Sequence, residues 1–512
     1  MSVRWTAAAT WAALLGLLTL LSRLPFLTRT LYSFDSANYV FALRDYYNVG
    51  HHHPHPPGYP LYVAFAKLID LALRDPNLSL VLLSAIASAA AVAATMLLGA
   101  ALYGTRLGVV SGLLLACTVG FWGYSEVAYP YTSLAFWVVC GALVCHRVLQ
   151  GHVKLIAPLG LLLGIAAGFR WDAAFFLGPL WLWALTRVGW RGWLASIGAF
   201  VLACVAWAVP MIWLSGGPTA YLEALRLQSE YIVGTYSLLS GGRAILEFNL
   251  AYLVTFFRQM YGLSLILVLY SVGRILTPGR LATDFRTRFL LVWMAPALLV
   301  YFTVHIGEPG YLLSLAPTLA LLGALALVEL DAELRLAARV LAARWPLVRR
   351  GNLGDRLARV AMPLALVLLL AYQTNAFVTS IGPARLPELR LIDLTQQAQL
   401  AYARQGSTSN ATIVLAHDRF RQTEYELSGY RVVLLFDEYA QGWREGRTWT
   451  LDVPVGAERL IVFDELDPAQ GGVEARGREI VLREEPRVTV WEFDLRGVRT
   501  VAHGYRRVEL QP

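Results

Sequence analysis

Apolar residues in this chain come in long runs separated by short polar connectors, the pattern of helices that cross a bilayer. About twenty apolar residues cover about 30 Å of hydrocarbon. On that criterion about eleven spans are expected, at 6–24, 79–103, 107–122, 131–149, 155–169, 173–185, 193–214, 261–276, 289–304, 311–327 and 362–381. The run at 61–73 is shorter and carries Lys67 and Asp70, so an amphipathic helix lying in the interface is expected there. After residue 381 the pattern changes, with Pro383 and Pro387 marking a break and charged residues becoming frequent. Short apolar runs at 412–416, 431–436, 459–463 and 488–493 read as buried strands, and helices are expected at 387–404 and 419–428. The expected architecture is a polytopic α-helical membrane domain, 1–382, followed by a small soluble α/β domain, 383–512. The membrane domain would carry a large first outer loop at 25–78 and another at 215–260.

Composition agrees with this class: 57% of residues are hydrophobic and 15% charged, and the mean hydropathy is +0.52, outside the range of soluble domains. The net charge of +8 does not point to nucleic acid, because the arginines sit mostly in connectors and no basic stripe is interleaved with aromatics. They act instead as topology determinants: with the N-terminus in the cytoplasm, seventeen Lys and Arg fall in inner connectors and nine in the longer outer ones. Arg4 followed by the apolar run 7–21, with no small-residue cleavage site, reads as a retained signal anchor in the cytoplasmic membrane. The four cysteines, Cys117, Cys140, Cys145 and Cys204, lie inside apolar segments and read as small buried residues.

The same topology gathers the unusual polar residues on the outer face. Between the first two spans lie Phe34-Asp35-Ser36-Ala37-Asn38-Tyr39 and then His51, His52, His53 and His55 ahead of Pro56-Pro57-Gly58-Tyr59-Pro60. Asp35 reads either as a partly desolvated general base or as a helix N-cap. Prolines exclude a regular helix around the histidines. His51, His53 and His55 share one side of an extended segment, where they would ligate a divalent metal, bond a phosphate or stand solvated. Glu126, in Tyr124-Ser125-Glu126-Val127-Ala128-Tyr129, orients a substrate hydroxyl or belongs to an interfacial aromatic belt. Arg170 and Asp172 flank Trp171 as a local pair at a tight turn, or Arg170 binds a phosphate with its planar fork of donors. His305 and Glu308 lie in a second Gly/Pro turn, and Arg258 lies at the end of the outer loop that also holds Tyr221, Arg226, Tyr231 and Tyr236. Ionisable groups at span ends that open to one side suggest a cavity there.

Several of these segments together resemble the GT-C membrane glycosyltransferases, in particular the bacterial family-39 branch that includes protein O-mannosyltransferases and the lipid A aminoarabinose transferase. The resemblance rests on Asp35 in FDSANY just after the first span, HPHPPGYPL closing the first outer loop, the small-residue span after Asn77-Leu78-Ser79, YSEVAYPY, and GEPGYLLSLAP entering a late span. It covers roughly residues 1–381. Many members carry paired acidic residues in the first loop, whereas here Ser36 follows Asp35. The resemblance implies inverting transfer of a sugar from a polyprenyl-phosphate donor to an acceptor hydroxyl on a lipid, glycan or protein, at the outer face of the membrane. Asp35 would be the base, Glu126, Tyr59, His305 and Glu308 would contact substrate, and Arg170, Arg258, His53 or His55 would hold the phosphate. The competing class is a transporter or flippase of a lipid-linked sugar or ion. Such proteins often show internal repeats and midplane charges, and neither feature stands out here.

Overall fold

The computed structural model describes residues 2–344, 353–405, 409–434, 449–463, 475–496 and 505–511. Packing divides the chain into two units, one of Met1–Leu27 and Asp45–Glu388 and one of Thr28–Arg44 and Leu389–Pro512.

The first unit is an α-helical membrane bundle. In chain order its helices are α1 (Ser2–Arg23), then, after α2 (Phe34–Arg44) of the second unit, α3 (Pro60–Leu73), α4 (Pro76–Tyr103), α5 (Thr105–Cys117), α6 (Val119–Tyr124), α7 (Tyr131–Leu149), α8 (Ile156–Phe169) and α9 (Asp172–Leu185). They continue with α10 (Trp190–Leu214), α11 (Pro218–Tyr236), α12 (Leu238–Tyr261), α13 (Ser264–Ile275), α14 (Pro278–Thr283), α15 (Phe285–Thr303), α16 (Ala316–Arg344) and α17 (Leu353–Thr379). Each expected apolar segment falls on helix. Among the described residues six helices are long and apolar enough to cross a membrane unaided, and a seventh candidate is the α12–α13 pair, bent by 117°. The shorter apolar helices include α5 and α9, too short to span as straight single helices. Helix α3 has 14 residues and leaves Phe65, Leu68 and Leu71 exposed along one apolar stripe, the form of a helix lying along an interface.

Small residues let the helices approach closely, as lipid-embedded packing favours. A Cβ at Gly160 or Gly164 of α8 would run into the backbone carbonyls of Ser196 and Phe200 on α10. The Ser196 hydroxyl in turn donates to the Ile156 carbonyl at 2.7 Å and accepts from Trp181 Nε1 at 3.0 Å. Two expected spans are broken. The run 107–122 divides at Thr118, whose φ of −60° and ψ of 123° are extended, and the segment expected at 311–327 begins with a 3₁₀ turn, Pro309–Ser314, before α16 starts. Arg23, counted from the sequence as an outer-connector charge, is instead 1% exposed. Its guanidinium lies 4.2 Å from the Trp122 ring centroid and donates to the Ala116 carbonyl at 2.5 Å.

The second unit is α/β. Helix α18 (Leu386–Ala403) leads into it, followed by β1 (Thr412–Ala416), α19 (Phe420–Glu426), β2 (Arg431–Leu434), β3 (Trp449–Pro454), β4 (Arg459–Val462), β5 (Ala475–Arg476), β6 (Arg478–Arg483), β7 (Val488–Asp494) and β8 (Tyr505–Gln511). One sheet has the order β2-β1-β4-β7-β6, parallel from β2 to β4 and antiparallel beyond, and a second has the order β3-β8-β5. Strand β1 is buried along its whole length, which is why it reads as an unbroken apolar run. Ile413 and Leu415 pack on one face with Leu460, Trp491 and Phe493, and Val414 packs on the other with Leu400, Ile461 and Val490. The edge strand β6 alternates exposed and half-buried positions and has no apolar run to announce it. Residues 435–436, the end of the expected second strand, lie outside the described residues.

Residues 28–44, expected within a loop of the membrane domain, pack with the α/β unit. The carboxylate of Asp393 on α18 accepts from Thr30 N at 2.9 Å, Thr30 Oγ1 at 2.6 Å and Arg29 N at 3.2 Å. Helix α2 lies on α19: Arg421 donates to Asn38 Oδ1 at 3.2 Å, Arg44 donates to the Tyr425 carbonyl at 2.9 Å, and Phe41 meets the Tyr425 ring edge-on at 5.9 Å. Removing the Asp393 carboxylate strands buried donors, a loss of about 1–3 kcal/mol. Asp393→Ala should therefore raise the rate of limited proteolysis within 28–44 roughly tenfold to a hundredfold, and an unchanged rate would show that this carboxylate does not hold the segment.

Candidate active site

In the membrane unit, the polar groups converge on Arg170. Helix α8 ends at Phe169 and α9 starts at Asp172, so a two-residue connector carries Arg170 with an extended backbone, φ −158°. Its Nε donates to Asp172 Oδ2 at 2.8 Å. Both residues are buried, 5% and 7% exposed, while the intervening Trp171 is 58% exposed. The guanidinium carbon lies 4.7 Å from the Tyr131 ring centroid, 4.9 Å from Tyr311 and 5.9 Å from Tyr59. Burial alone would lower the pKa of Arg170, but Asp172 and the surrounding tyrosines outweigh it and hold the group above its ordinary value. The local pair read from the sequence is thus present, enclosed by rings.

The rings are fixed by a second carboxylate. Glu308 accepts from the Tyr129 hydroxyl at 2.7 Å and the Tyr131 hydroxyl at 3.3 Å, and the two rings stack at 4.9 Å. The Pro309–Ser314 turn reaches these tyrosines because Gly310 has no Cβ; one there would overlap the rings of Tyr131 and Tyr124. Tyr301 donates to the Tyr311 carbonyl at 2.8 Å and Tyr261 to that of Leu312 at 2.8 Å, which locks the turn. His305 packs against Tyr236 at 4.8 Å and Tyr311 at 5.6 Å. Burial, helped by the charge of Arg170, pushes its pKa down to about 4, so the ring is neutral near pH 7.

Other expected site residues have different settings. His55 bonds the Tyr59 hydroxyl at 3.2 Å and so reaches the Arg170 cluster through Tyr59. His53 is buried against Tyr46 at 4.9 Å, and the exposed His51 bonds the Tyr46 hydroxyl at 2.9 Å. The segment is not an extended strand: it holds the 3₁₀ turn Val49–His51 and the left-handed His52, with His51 and His53 both against Tyr46 and His55 against Tyr59. Among the described residues no group of three His, Cys, Asp or Glu side chains could hold a metal ion. Glu126 is fully buried and close enough to Arg23 to act on it electrostatically. Arg258 is exposed on α12, with no described contact to the cluster.

Asp35 lies in the first turn of α2, in the second unit, and is half-buried. It is not the N-cap: the Ser33 hydroxyl accepts from Ser36 N at 3.3 Å, and α2 begins at Phe34. Sequence reasoning did not assign Tyr131, Tyr301 or Tyr311 to the site. The density of tyrosines in YSEVAYPY was the available signal, and only the fold joins that segment to residues 301–311.

The fold is similar to those of solved structures of ArnT and of an archaeal oligosaccharyltransferase. Over 96% of its length the chain matches 98% of ArnT from Cupriavidus metallidurans bound to undecaprenyl phosphate, with a TM-score of 0.58 at 12% identity. The apo state of the same ArnT matches with a TM-score of 0.53 at 12% identity, covering 95% of this chain and 98% of that one. The Archaeoglobus fulgidus oligosaccharyltransferase tethered to an NVT-containing acceptor peptide matches with a TM-score of 0.50 at 13% identity, covering 89% of this chain and 68% of that one. No protein-family profile and no curated protein matches the sequence.

The depressed pKa of His305 predicts an acid-sensitive fold. Unfolded, the ring titrates near 6.5; folded, near 4. Its contribution to stability is therefore complete above about pH 6.5 and is lost as pH falls through about 4. His305→Gln should lose less thermal stability between pH 6.5 and 4 than the unmodified protein; identical pH profiles would mean that the ring titrates normally in the fold.

Proposed function

We propose that this protein is an inverting membrane glycosyltransferase that moves a sugar from a polyprenyl-phosphate donor to an acceptor hydroxyl at the outer face of the cytoplasmic membrane. The observation that carries this reading is the end-to-end likeness, 96% of this chain against 98% of the other, to ArnT in its undecaprenyl-phosphate complex. The acceptor oxygen attacks the anomeric carbon as the bond from that carbon to the phosphate oxygen breaks. The acceptor proton passes to Asp35, and the polyprenyl phosphate leaves as an anion that needs hydrogen-bond donors more than a general acid.

Arg170 is the donor we assign to that phosphate. Its Nε is committed to Asp172 and rings lie about its guanidinium, but rings over a guanidinium leave its terminal in-plane N–H groups able to bond a tetrahedral anion. Glu308, Tyr59 and His305 are the groups assigned to sugar hydroxyls, an assignment supported by the aromatic faces and the carboxylate around Arg170, and His55, bonded to Tyr59, is assigned to the phosphate with Arg170.

Purified protein given polyprenyl-phosphate sugar and envelope extract should release free polyprenyl phosphate. Asp35→Asn should slow release about a hundredfold to ten-thousandfold with unchanged thermal unfolding; full turnover in that variant would remove Asp35 from the mechanism, and transbilayer flux of intact donor without bond cleavage would favour a flippase. Arg170→Lys, which keeps the charge but removes the planar fork, should also lower turnover at least tenfold. Wild-type rates for it would show that charge alone suffices at this position.

A further inference from the structure

We propose a second anion-binding site, for the phosphate of an anionic lipid headgroup, at the far end of α7 from the tyrosine cluster. Helix α7 runs from Tyr131, in the wall around Arg170, to His146 and Arg147 in its last turn. At 1.5 Å per residue these ends are about 20–25 Å apart. There a cavity of about 650 Å³ is lined by Thr105, His146, Arg147, Gln150, His152 and Arg286, with an apolar wall from α1, the end of α4 and Phe285. Among the described residues the polar lining thus brings together two guanidiniums and two imidazoles and no carboxylate.

His146 is the observation that points to a ligand. It is 5% exposed and lies against Phe285 and Phe289, yet its Nδ1 is buried with no hydrogen-bond partner. A buried ring nitrogen without a partner costs free energy unless something enters to meet it. Arg286 is exposed beside the cavity, with its guanidinium 5.1 Å from the Tyr103 ring. Of the neighbouring acids, Asp284 caps α15, accepting from Thr287 N at 3.1 Å and Thr287 Oγ1 at 2.7 Å while also lying within electrostatic reach of Arg286, and Glu329 pairs with Arg280 at 2.8 Å.

A lipid fits better than a soluble phosphate because the cavity has an apolar wall and the helix that contributes to it carries exposed apolar side chains. Helix α1 gives Ala8 to the cavity and leaves Trp11, Leu14 and Leu18 exposed on the same helix, so acyl chains can lie along α1 while the phosphate meets the cations. Basic pockets at the ends of transmembrane helices capture anionic headgroups in this way.

The test is native mass spectrometry of the full chain in detergent, titrated with phosphatidylglycerol or phosphatidylcholine. Phosphatidylglycerol should bind at least fivefold tighter, and the variant carrying Arg147→Ala and Arg286→Ala should lose that preference. His146→Gln, which keeps a donor of similar size, should weaken phosphatidylglycerol less than the double variant. Equal binding of the two lipids, or undiminished phosphatidylglycerol binding by a folded double variant, overturns the proposal. Displacement of the lipid by submillimolar inorganic phosphate would overturn the lipid assignment in favour of a soluble phosphate.

Discussion

Hydrocarbon offers no hydrogen bonds, so every polar group carried into the bundle must find its partner within the protein. Where the helices are continuous, the backbone meets this demand by itself. Where they break, side chains take over. Gln373 on α17 donates to the Tyr261 carbonyl at 2.7 Å and to Ser264 Oγ at 2.6 Å, spanning the bend between α12 and α13. Asn249 donates to the carbonyls of Tyr236 and Phe302, both at 3.3 Å. At the break between α5 and α6, the Thr118 hydroxyl turns back to the Leu114 carbonyl at 2.7 Å. The irregular segments are thus held by specific polar contacts.

That demand also shapes the candidate site. A buried guanidinium is costly unless partners answer it, and breaking a buried ion pair leaves an uncompensated charge. Arg170 has Asp172 two residues away, so the pair forms within one connector whatever the rest of the bundle does. The tyrosines then arrive from the 124–131 segment and the turn after α15, and Glu308 holds two of them by their hydroxyls. The result is a wall whose charges and rings are held by contacts within the protein.

How much of this was legible in the sequence follows from the range of the interactions. Segments governed by local pattern were readable: β1 spans 412–416 as expected, and α18 and α19 lie within a residue or two of their expected limits. The apolar segments also all proved helical. The interruptions at Thr118 and Gly262 were not readable, because hydropathy averages over a window and a single extended or left-handed residue leaves the average intact. Strand β6 was missed for the opposite reason, since an exposed edge needs no apolar run. In the site, the Arg170–Asp172 pair was visible from spacing, whereas the packing of Tyr131, Tyr301 and Tyr311 depends on helices meeting across the bundle. The placement of Asp35 with the α/β unit was invisible in the same way, since Asp393, which anchors its segment, comes from the far end of the chain.

The significance of residue 170 lies in its geometry rather than in its identity. Lys67 and Lys154 are the chain's only lysines, so an arginine at any position is uninformative by itself: composition alone would put one there. What distinguishes Arg170 is that its setting uses properties lysine lacks. Its Nε reaches Asp172 while the flat cation lies among the rings of Tyr131 and Tyr311, and the terminal nitrogens remain in the same plane with a fixed direction. An ammonium in its place would satisfy the carboxylate with rotating donors, stack on nothing and point nowhere in particular. The arginines scattered through the connectors need only be positive; at 170 the shape of the cation is what the site is built around.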